Sequence, residues 1–375
     1  MSGMVPFIDL EAQRARIQAE IETAVASVLR DGRYILGPQV QELEGQLKEF
    51  SGAPEALACA NGTDALMLPL LAWGIGQGDA VFVPSFTFAS TAEVVPWLQA
   101  SPVFVDIEPS TYNMDPDHLE SAIEATLAEG RLRPAVIIAV DLFGQPANYP
   151  RLAAIAEKYG LRLISDSAQG FGCTLDDKHP VHWADAVTIS FYPAKPLGCY
   201  GDGGAVLAKA KEDYTLMKSF HVHGEGAERY EYARIGMNSR LDTIQAAILL
   251  EKLKIFSDEI EARNIAALRY ADGFGDLVKT PQIIDGGRSV WAQYTIEVDD
   301  RDGFRKSLAD QGVPTAVYYP IPLHKQAPYA VYPVGPQGLN ATENAAGRVV
   351  SLPMDGYLGG ERQQRVIDAV RNALS

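Results

Sequence analysis

Lys195 stands in the run Ile189-Ser190-Phe191-Tyr192-Pro193-Ala194-Lys195-Pro196-Leu197-Gly198-Cys199-Tyr200-Gly201-Asp202-Gly203-Gly204. No charged residue adjoins it, and its neighbours are apolar or aromatic. Desolvation lowers an amine's pKa, and an amine attacks a carbonyl only when neutral. The glycines that follow let backbone approach backbone or ligand closely. A loop-capping lysine with a buried stem would look the same, so three other segments carry the weight. Asn61-Gly62-Thr63-Asp64 offers free backbone N–H groups, a helix start and a hydroxyl, which is what a phosphate needs. An ordinary capped helix uses the same residue types. Pro84-Ser85-Phe86-Thr87-Phe88 supplies aromatics able to stack on a flat ring, although aromatics are more often core. Asp166-Ser167-Ala168-Gln169 puts a carboxylate at the end of an apolar run, a costly place unless the charge is paired.

The elements that must hold these groups follow from periodicity. Residues 11–30 have helical spacing closed by Gly32, and a second helix runs from Val40 to Phe50 behind Pro38. Strands are expected over 56–60, 80–83, 103–105, 135–140 and 161–165, alternating with helices over 90–98, 119–128 and 149–158. Pro69 should bend the helix that begins near Gly62. Such alternation indicates an α/β fold with a mostly parallel sheet, and these sheets bind ligands at the carboxyl ends of their strands. A helix follows at 241–261, then a loop-rich stretch to Gly287. Strands at 292–298 and 315–319 and helices at 303–311 and 361–374 predict a smaller C-terminal α+β domain. The expected division is 1–255, with the N-terminal helices, and 256–375.

Composition narrows the function classes. Lys+Arg of 32 against Asp+Glu of 48 gives a net charge of −16, which argues against nucleic acid or an anionic membrane as partner. Cys59, Cys173 and Cys199 have neither zinc nor disulfide-framework spacing. Met1–Leu10 lacks a basic stretch followed by an apolar one, and no run is long enough to span a bilayer, so a cytoplasmic protein is expected. Gly74, Gly76 and Gly78 miss the dinucleotide-binding spacing. His221-Val222-His223 is two imidazoles without a third ligand, read as part of a mobile polar loop. Gly224–Tyr230 continues it and is expected to border the substrate entrance. Cys199 is read as a packing residue.

Phosphate cradle, stacking aromatic, strand-end carboxylate and Schiff-base lysine are together the requirements of pyridoxal 5′-phosphate. The segments Ala60-Asn61-Gly62-Thr63-Asp64-Ala65-Leu66, Asp166-Ser167-Ala168-Gln169, Lys195-Pro196-Leu197-Gly198, Gly201-Asp202-Gly203-Gly204 and Gly236-Met237-Asn238-Ser239-Arg240-Leu241-Asp242 carry a more specific likeness. Over nearly its whole length the sequence resembles the DegT/DnrJ/EryC1/StrS sugar aminotransferases, which have fold type I of the pyridoxal phosphate enzymes. The resemblance implies that Lys195 bonds the cofactor and carries the proton, while Asp166 pairs with its ring nitrogen. Gln169 would meet its ring hydroxyl, Phe88 would stack on it, and Gly62, Thr63, Asp64 and Ser190 would hold its phosphate. Asn238 would reach the cofactor of a neighbouring subunit, making a homodimer with shared active sites. Many relatives have Asp-Ala where this chain has Asp166-Ser167; a small residue is kept.

The implied reaction passes an amino group from L-glutamate, leaving 2-oxoglutarate, through pyridoxamine phosphate to a nucleotide-linked keto sugar. Tyr34–Pro38, Ala292–Thr295 and Gly312–Leu323 look most like the branch that aminates UDP-2-acetamido-2-deoxy-3-oxo-glucuronate in bacterial O-antigen pathways. Arg240 would bind an anionic group of that sugar. Tyr318, Tyr319 and His324 are the other expected substrate contacts. Relatives of that branch often have His at the position of Tyr318, which leaves a 4-keto-6-deoxy sugar as the alternative. A non-catalytic regulator that binds the cofactor is a further reading, opposed by Asp166, Lys195 and Asn238. Sugar dehydratases of the family have His in place of the lysine, and a cysteine desulfurase would have His at Gln169.

Overall fold

The structure is a computed structural model that describes residues 5–228 and 230–374. Met1–Met4, Ser375, and Arg229 of the expected entrance loop lie outside the described residues.

Seven short strands build the main sheet: β1 (Glu55–Cys59), β2 (Asp79–Pro84), β3 (Ser101–Val105), β4 (Arg133–Val140), β5 (Arg162–Asp166), β6 (Ala186–Ser190) and β7 (Gly204–Ala208). Their order is β1-β7-β6-β5-β4-β2-β3. All neighbours run parallel except those of β7, which is antiparallel to both β1 and β6. The strands are buried along almost their whole length, because helices cover both faces, and their apolar residues are therefore nearly unbroken. The sheet is the mostly parallel α/β sheet that the alternation predicts, with one reversed strand that it does not show.

β5 lies at the centre, so its terminal Asp166 sits mid-edge. Reversal of β7 brings its first residue, Gly204, to that same edge, paired with both Cys59 and Ser190. Beyond Cys59 the chain turns at Asn61 into the helix α1 (Gly62–Ala72), and beyond Pro84 it enters α2 (Ser90–Trp97). Four segments distant in sequence thus meet on one rim.

The long helix α3 (Thr243–Phe274) links two apolar cores. Leu249, Phe256 and Ile260 belong to one core with Phe82 and Ile137 of the sheet and Phe191 just beyond β6. Ala266, Tyr270 and Phe274 pack with Tyr294, Phe304, Val350 and Ile367 of the C-terminal region. The switch falls between Ile260 and Ala266 on one continuous helix. Val5 joins the second core, and Arg362 holds Asp9 at 2.7 Å, so the N-terminal segment packs against the C-terminal region.

The expected strand at 315–319 does not form. One bridge, Ala316 to Ser351, is its only pairing among the described residues, and Tyr319 turns to φ +55°. Ser351 lies instead in the short strand Val349–Leu352, which pairs with Tyr294–Glu297.

Candidate active site

Asp166 is 5% exposed and accepts two hydrogen bonds. Thr91 Oγ1 donates to Oδ2 at 2.8 Å and the Ala168 N–H to Oδ1 at 3.2 Å. Burial pushes its carboxyl above the usual range, against these donors and the charge of Lys195. Lys195 is half-buried. Desolvation lowers its amine below the ordinary lysine value, and Asp166 opposes that shift. A desolvated amine and a desolvated carboxylate therefore act on one another at one site, burial disfavouring the charged form of each.

The phosphate-like cradle takes shape around Gly62. Asn61 caps α1 by accepting the Asp64 N–H at 2.8 Å, and leaves the first amides of the helix free of side-chain caps. A β-carbon at Gly62 would stand 2.8 Å from Ser190 Cβ, and one at Gly204 would strike the Asn61 carbonyl. Two side-chain-free positions thus clear the rim beside three polar groups. Thr63 Oγ1 bonds Ser90 Oγ at 2.7 Å, and Ser190 Oγ accepts the Tyr192 N–H at 3.3 Å.

On the other side of Asp166, the Phe143 N–H donates to Gln169 Oε1 at 2.8 Å. That bond fixes the amide so that Nε2 donates to Tyr319 OH at 2.6 Å. The Tyr319 hydroxyl proton is then left to point elsewhere. Burial pushes that hydroxyl's pKa well up. Phe86, buried, meets the Tyr319 ring edge-on at 5.7 Å. The Tyr318 and Tyr319 rings stand 6.0 Å apart, and burial raises the Tyr318 hydroxyl's pKa.

Thr63, Asp166, Gln169, Ser190, Lys195, Tyr318 and Tyr319 therefore gather at one rim with Gly62. Phe88 is 61% exposed at the entry to α2, with its face uncovered. Asp64 is half-buried in the first turn of α1. His324 is engaged on both sides: Nδ1 bonds Ser85 Oγ at 2.7 Å and Nε2 lies 3.2 Å from Glu343 Oε1. It ties the loop after β2 to the C-terminal region. Asn238 is exposed and bridged to Val222. Arg240 is half-buried. The interactions of Lys195 and Asp166 include neither.

His221 is not in a mobile loop as its sequence suggested. It is buried, its Nδ1 is 3.0 Å from the Ser239 carbonyl, and burial pushes its pKa down to about 4. Among the described residues no cluster of His, Cys, Asp or Glu is suited to a metal. Ser167 is more than a small spacer: its hydroxyl donates to the fully buried Asp141, which also accepts from Tyr149 OH at 2.6 Å and Ser165 Oγ at 3.1 Å. Thr91 and Asp141 were missed in the sequence; in the structure Thr87 Oγ1, from the loop before α2, lies 3.0 Å from Thr91 Oγ1 in its first turn.

These residues fit pyridoxal phosphate. Among the described residues no cation lies at hydrogen-bond distance from the buried carboxylate, the glycines clear room for a ligand at a helix start, and the lysine is desolvated.

The sequence profile of the DegT/DnrJ/EryC1/StrS aminotransferase family matches residues 15–371. The chain is 47% identical to the UDP-2-acetamido-2-deoxy-3-oxo-D-glucuronate aminotransferase of Pseudomonas aeruginosa, over 95% of this chain and 96% of that protein. It superposes on the crystal structure of a DegT DnrJ EryC1 StrS aminotransferase from Brucella abortus with a TM-score of 0.97, at 51% identity and 98% coverage of both chains. It also superposes on NtdA from Bacillus subtilis with bound cofactor PMP, with a TM-score of 0.85 at 30% identity, covering 95% of this chain and 81% of that one. Because the match runs unbroken through the helix-start cradle, the carboxylate strand and the lysine loop, the chain belongs to the DegT/DnrJ/EryC1/StrS aminotransferase family.

Proposed function

We propose that this pyridoxal phosphate-dependent aminotransferase transfers the amino group of L-glutamate to the keto carbon of UDP-2-acetamido-2-deoxy-3-oxo-glucuronate. The observation that carries the chemistry is that desolvated Lys195 lies within electrostatic reach of buried Asp166. The choice of sugar is supported by the 47% identity to an enzyme named for it.

Bound cofactor supplies an electron sink for the carbanion formed when the donor's α-proton leaves. Lys195 Nζ would hold the cofactor and would carry the donor's proton, as its desolvated amine suits it to do. A positioned base of this kind is worth roughly 10²–10⁴ in rate. Asp166 would hold the ring nitrogen protonated, and Thr91 and the Ala168 amide orient its carboxylate. Gly62, Thr63, Asp64 and Ser190 would hold its phosphate, Phe88 would cover its ring, and Gln169 would meet its ring hydroxyl. Tyr318, Tyr319, His324 and Arg240 line the sugar side. Arg240 has no ion-pair partner among the described residues, which suits it to an anionic substrate group.

The active site is shared across a homodimer, with Asn238 and Arg240 reaching the partner's cofactor and sugar. Exposure of the consecutive Tyr34, Ile35 and Leu36, and of Phe88, Tyr192 and Ile235, supports this assembly, since exposed large apolar side chains gain by being covered. The Tyr34–Leu36 segment is bridged to Asp242, two residues from Arg240. We place the enzyme in the cytoplasm, in O-antigen synthesis; among the described residues no helix is long and apolar enough to cross a membrane.

Absorbance spectra of the cofactor-loaded protein test the reading. L-glutamate should abolish the band of the protein-bound aldehyde form, and the 3-oxo-glucuronate nucleotide should restore it. Restoration by a 4-keto-6-deoxy sugar nucleotide alone would establish the alternative substrate, and a spectrum unmoved by glutamate would exclude it as donor.

A further inference from the structure

Lys252 lies on α3 with 1% of its surface exposed. Its ammonium donates to the Gly198 carbonyl at 2.6 Å and stands 4.2 Å from the centre of the Tyr200 ring. No carboxylate pairs with it among the described residues. Burial pushes its pKa down to about 8, opposed by the more distant charge of Glu259. Buried lysine without a salt-bridge partner is costly, and methionine would fill the same space without that cost. Core packing therefore does not account for a lysine here.

Everything that Lys252 grips belongs to the loop carrying Lys195. Gly198 is where that loop folds back on itself: a β-carbon there would stand 2.6 Å from the Pro193 carbonyl and 2.7 Å from that of Tyr192. The Tyr192 carbonyl accepts the backbone N–H of Lys195 at 2.8 Å. Two turns earlier on the same face of α3, Gln245 Oε1 accepts the Tyr200 N–H at 2.9 Å. One helix thus holds the far limb of the loop at a backbone amide, a carbonyl and a ring, and that limb packs on the carbonyls that position Lys195.

We propose that Lys252, assisted by Gln245, is a positioning residue that sets where the Lys195 amine stands in the active site. It bonds neither cofactor nor substrate. The proposal rests on the reading of Lys195 as the cofactor-bonding amine.

The test compares Lys252→Met with wild type in two states. In cofactor-free protein, backbone amide exchange of residues 197–201 should be at least about tenfold faster in the variant, since a bond anchoring the loop is gone. In cofactor-loaded protein, the pH midpoint of the cofactor absorbance should shift, and kcat should fall roughly 10- to 100-fold with KM for both substrates within about twofold. Lys252→Arg, which keeps a charged donor, should recover part of the wild-type midpoint. Unchanged exchange or an unchanged midpoint overturns the proposal, whatever happens to turnover. If Lys252→Met does not fold, Gln245→Leu at its half-buried position is subjected to the same pair of measurements with the same deciding outcomes. Lys195→Ala separates the two levels: loss of the protein-bound absorbance upholds the underlying reading independently, and its persistence would overturn that reading and this one.

Discussion

Two carboxylates, Asp166 and Asp141, sit buried at neighbouring strand ends, and the Asp141 N–H donates to the Asp166 carbonyl at 3.0 Å. Both are pushed up by desolvation, Asp141 to about 6 despite the hydroxyls of Ser167, Tyr149 and Ser165. For Asp141 the folded value lies above the ordinary 3.8, so the native state holds the extra proton between about pH 4 and 6. Its contribution to stability is present below that window and lost as pH rises through it. Asp141→Asn, which cannot ionise, should gain on wild type by about 3 kcal/mol between pH 4 and 7, an order-of-magnitude value from the size of the shift. Urea midpoints at the two pH values measure it, and a difference constant with pH would show Asp141 ionised throughout. Lys195→Ala belongs to the same scale. It should lower turnover by more than roughly 10³-fold, as loss of both the bonding amine and the proton carrier, while the urea midpoint stays near that of wild type. Steady-state kinetics with glutamate and the keto sugar read the first, and an active variant would move the chemistry to another group.

At the scale of elements, the reversed strand β7 gives the cradle its width. Its first residue, Gly204, pairs with Cys59 on one side and Ser190 on the other, against the Asn61 carbonyl. Gly204→Ala drives a methyl into that carbonyl, so either strand or turn must move. A loss of roughly 1–3 kcal/mol of stability is expected, with a larger proportional loss of cofactor affinity. Urea unfolding and cofactor titration separate the two, and wild-type affinity would show that the cradle does not depend on this approach. Helix α3 is the other organising element, contributing to both cores. The division of the chain at 255/256 stays our proposal; the change of packing partners between Ile260 and Ala266 supports a boundary within this helix, while Val5 and Asp9 cross it.

At the scale of the whole molecule, the proposed dimer would complete the site. Phe88 is largely exposed, and Arg240 is not among the groups that shift Lys195 or Asp166. If two copies share each site, Lys195→Ala and Arg240→Ala should each be nearly inactive alone. Mixed and re-associated, they should recover about one quarter of wild-type activity, because half the dimers are mixed and each holds one intact site of two. No recovery on mixing, with exchange of subunits verified by mass, would place Arg240 in its own chain's site.

Periodicity and residue type alone determined the alternating strands and helices, the mostly parallel sheet, and the four segments with cofactor chemistry. Those signals are local: apolar runs, caps, glycines and a lysine without charged neighbours are visible within about ten residues. Only the tertiary structure decided what depends on distant partners. β7 was invisible as a reversed strand because pairing direction leaves no mark on a short apolar run such as Gly204–Ala208. Residues 315–319 alternate like a strand, yet Tyr319 is turned to positive φ where it bonds Gln169, and tertiary contact overrides propensity there. His221 and Lys252 look like surface residues in sequence. Each is buried because its polar atom meets a backbone carbonyl supplied by a segment folded against it, Ser239 for one and Gly198 for the other.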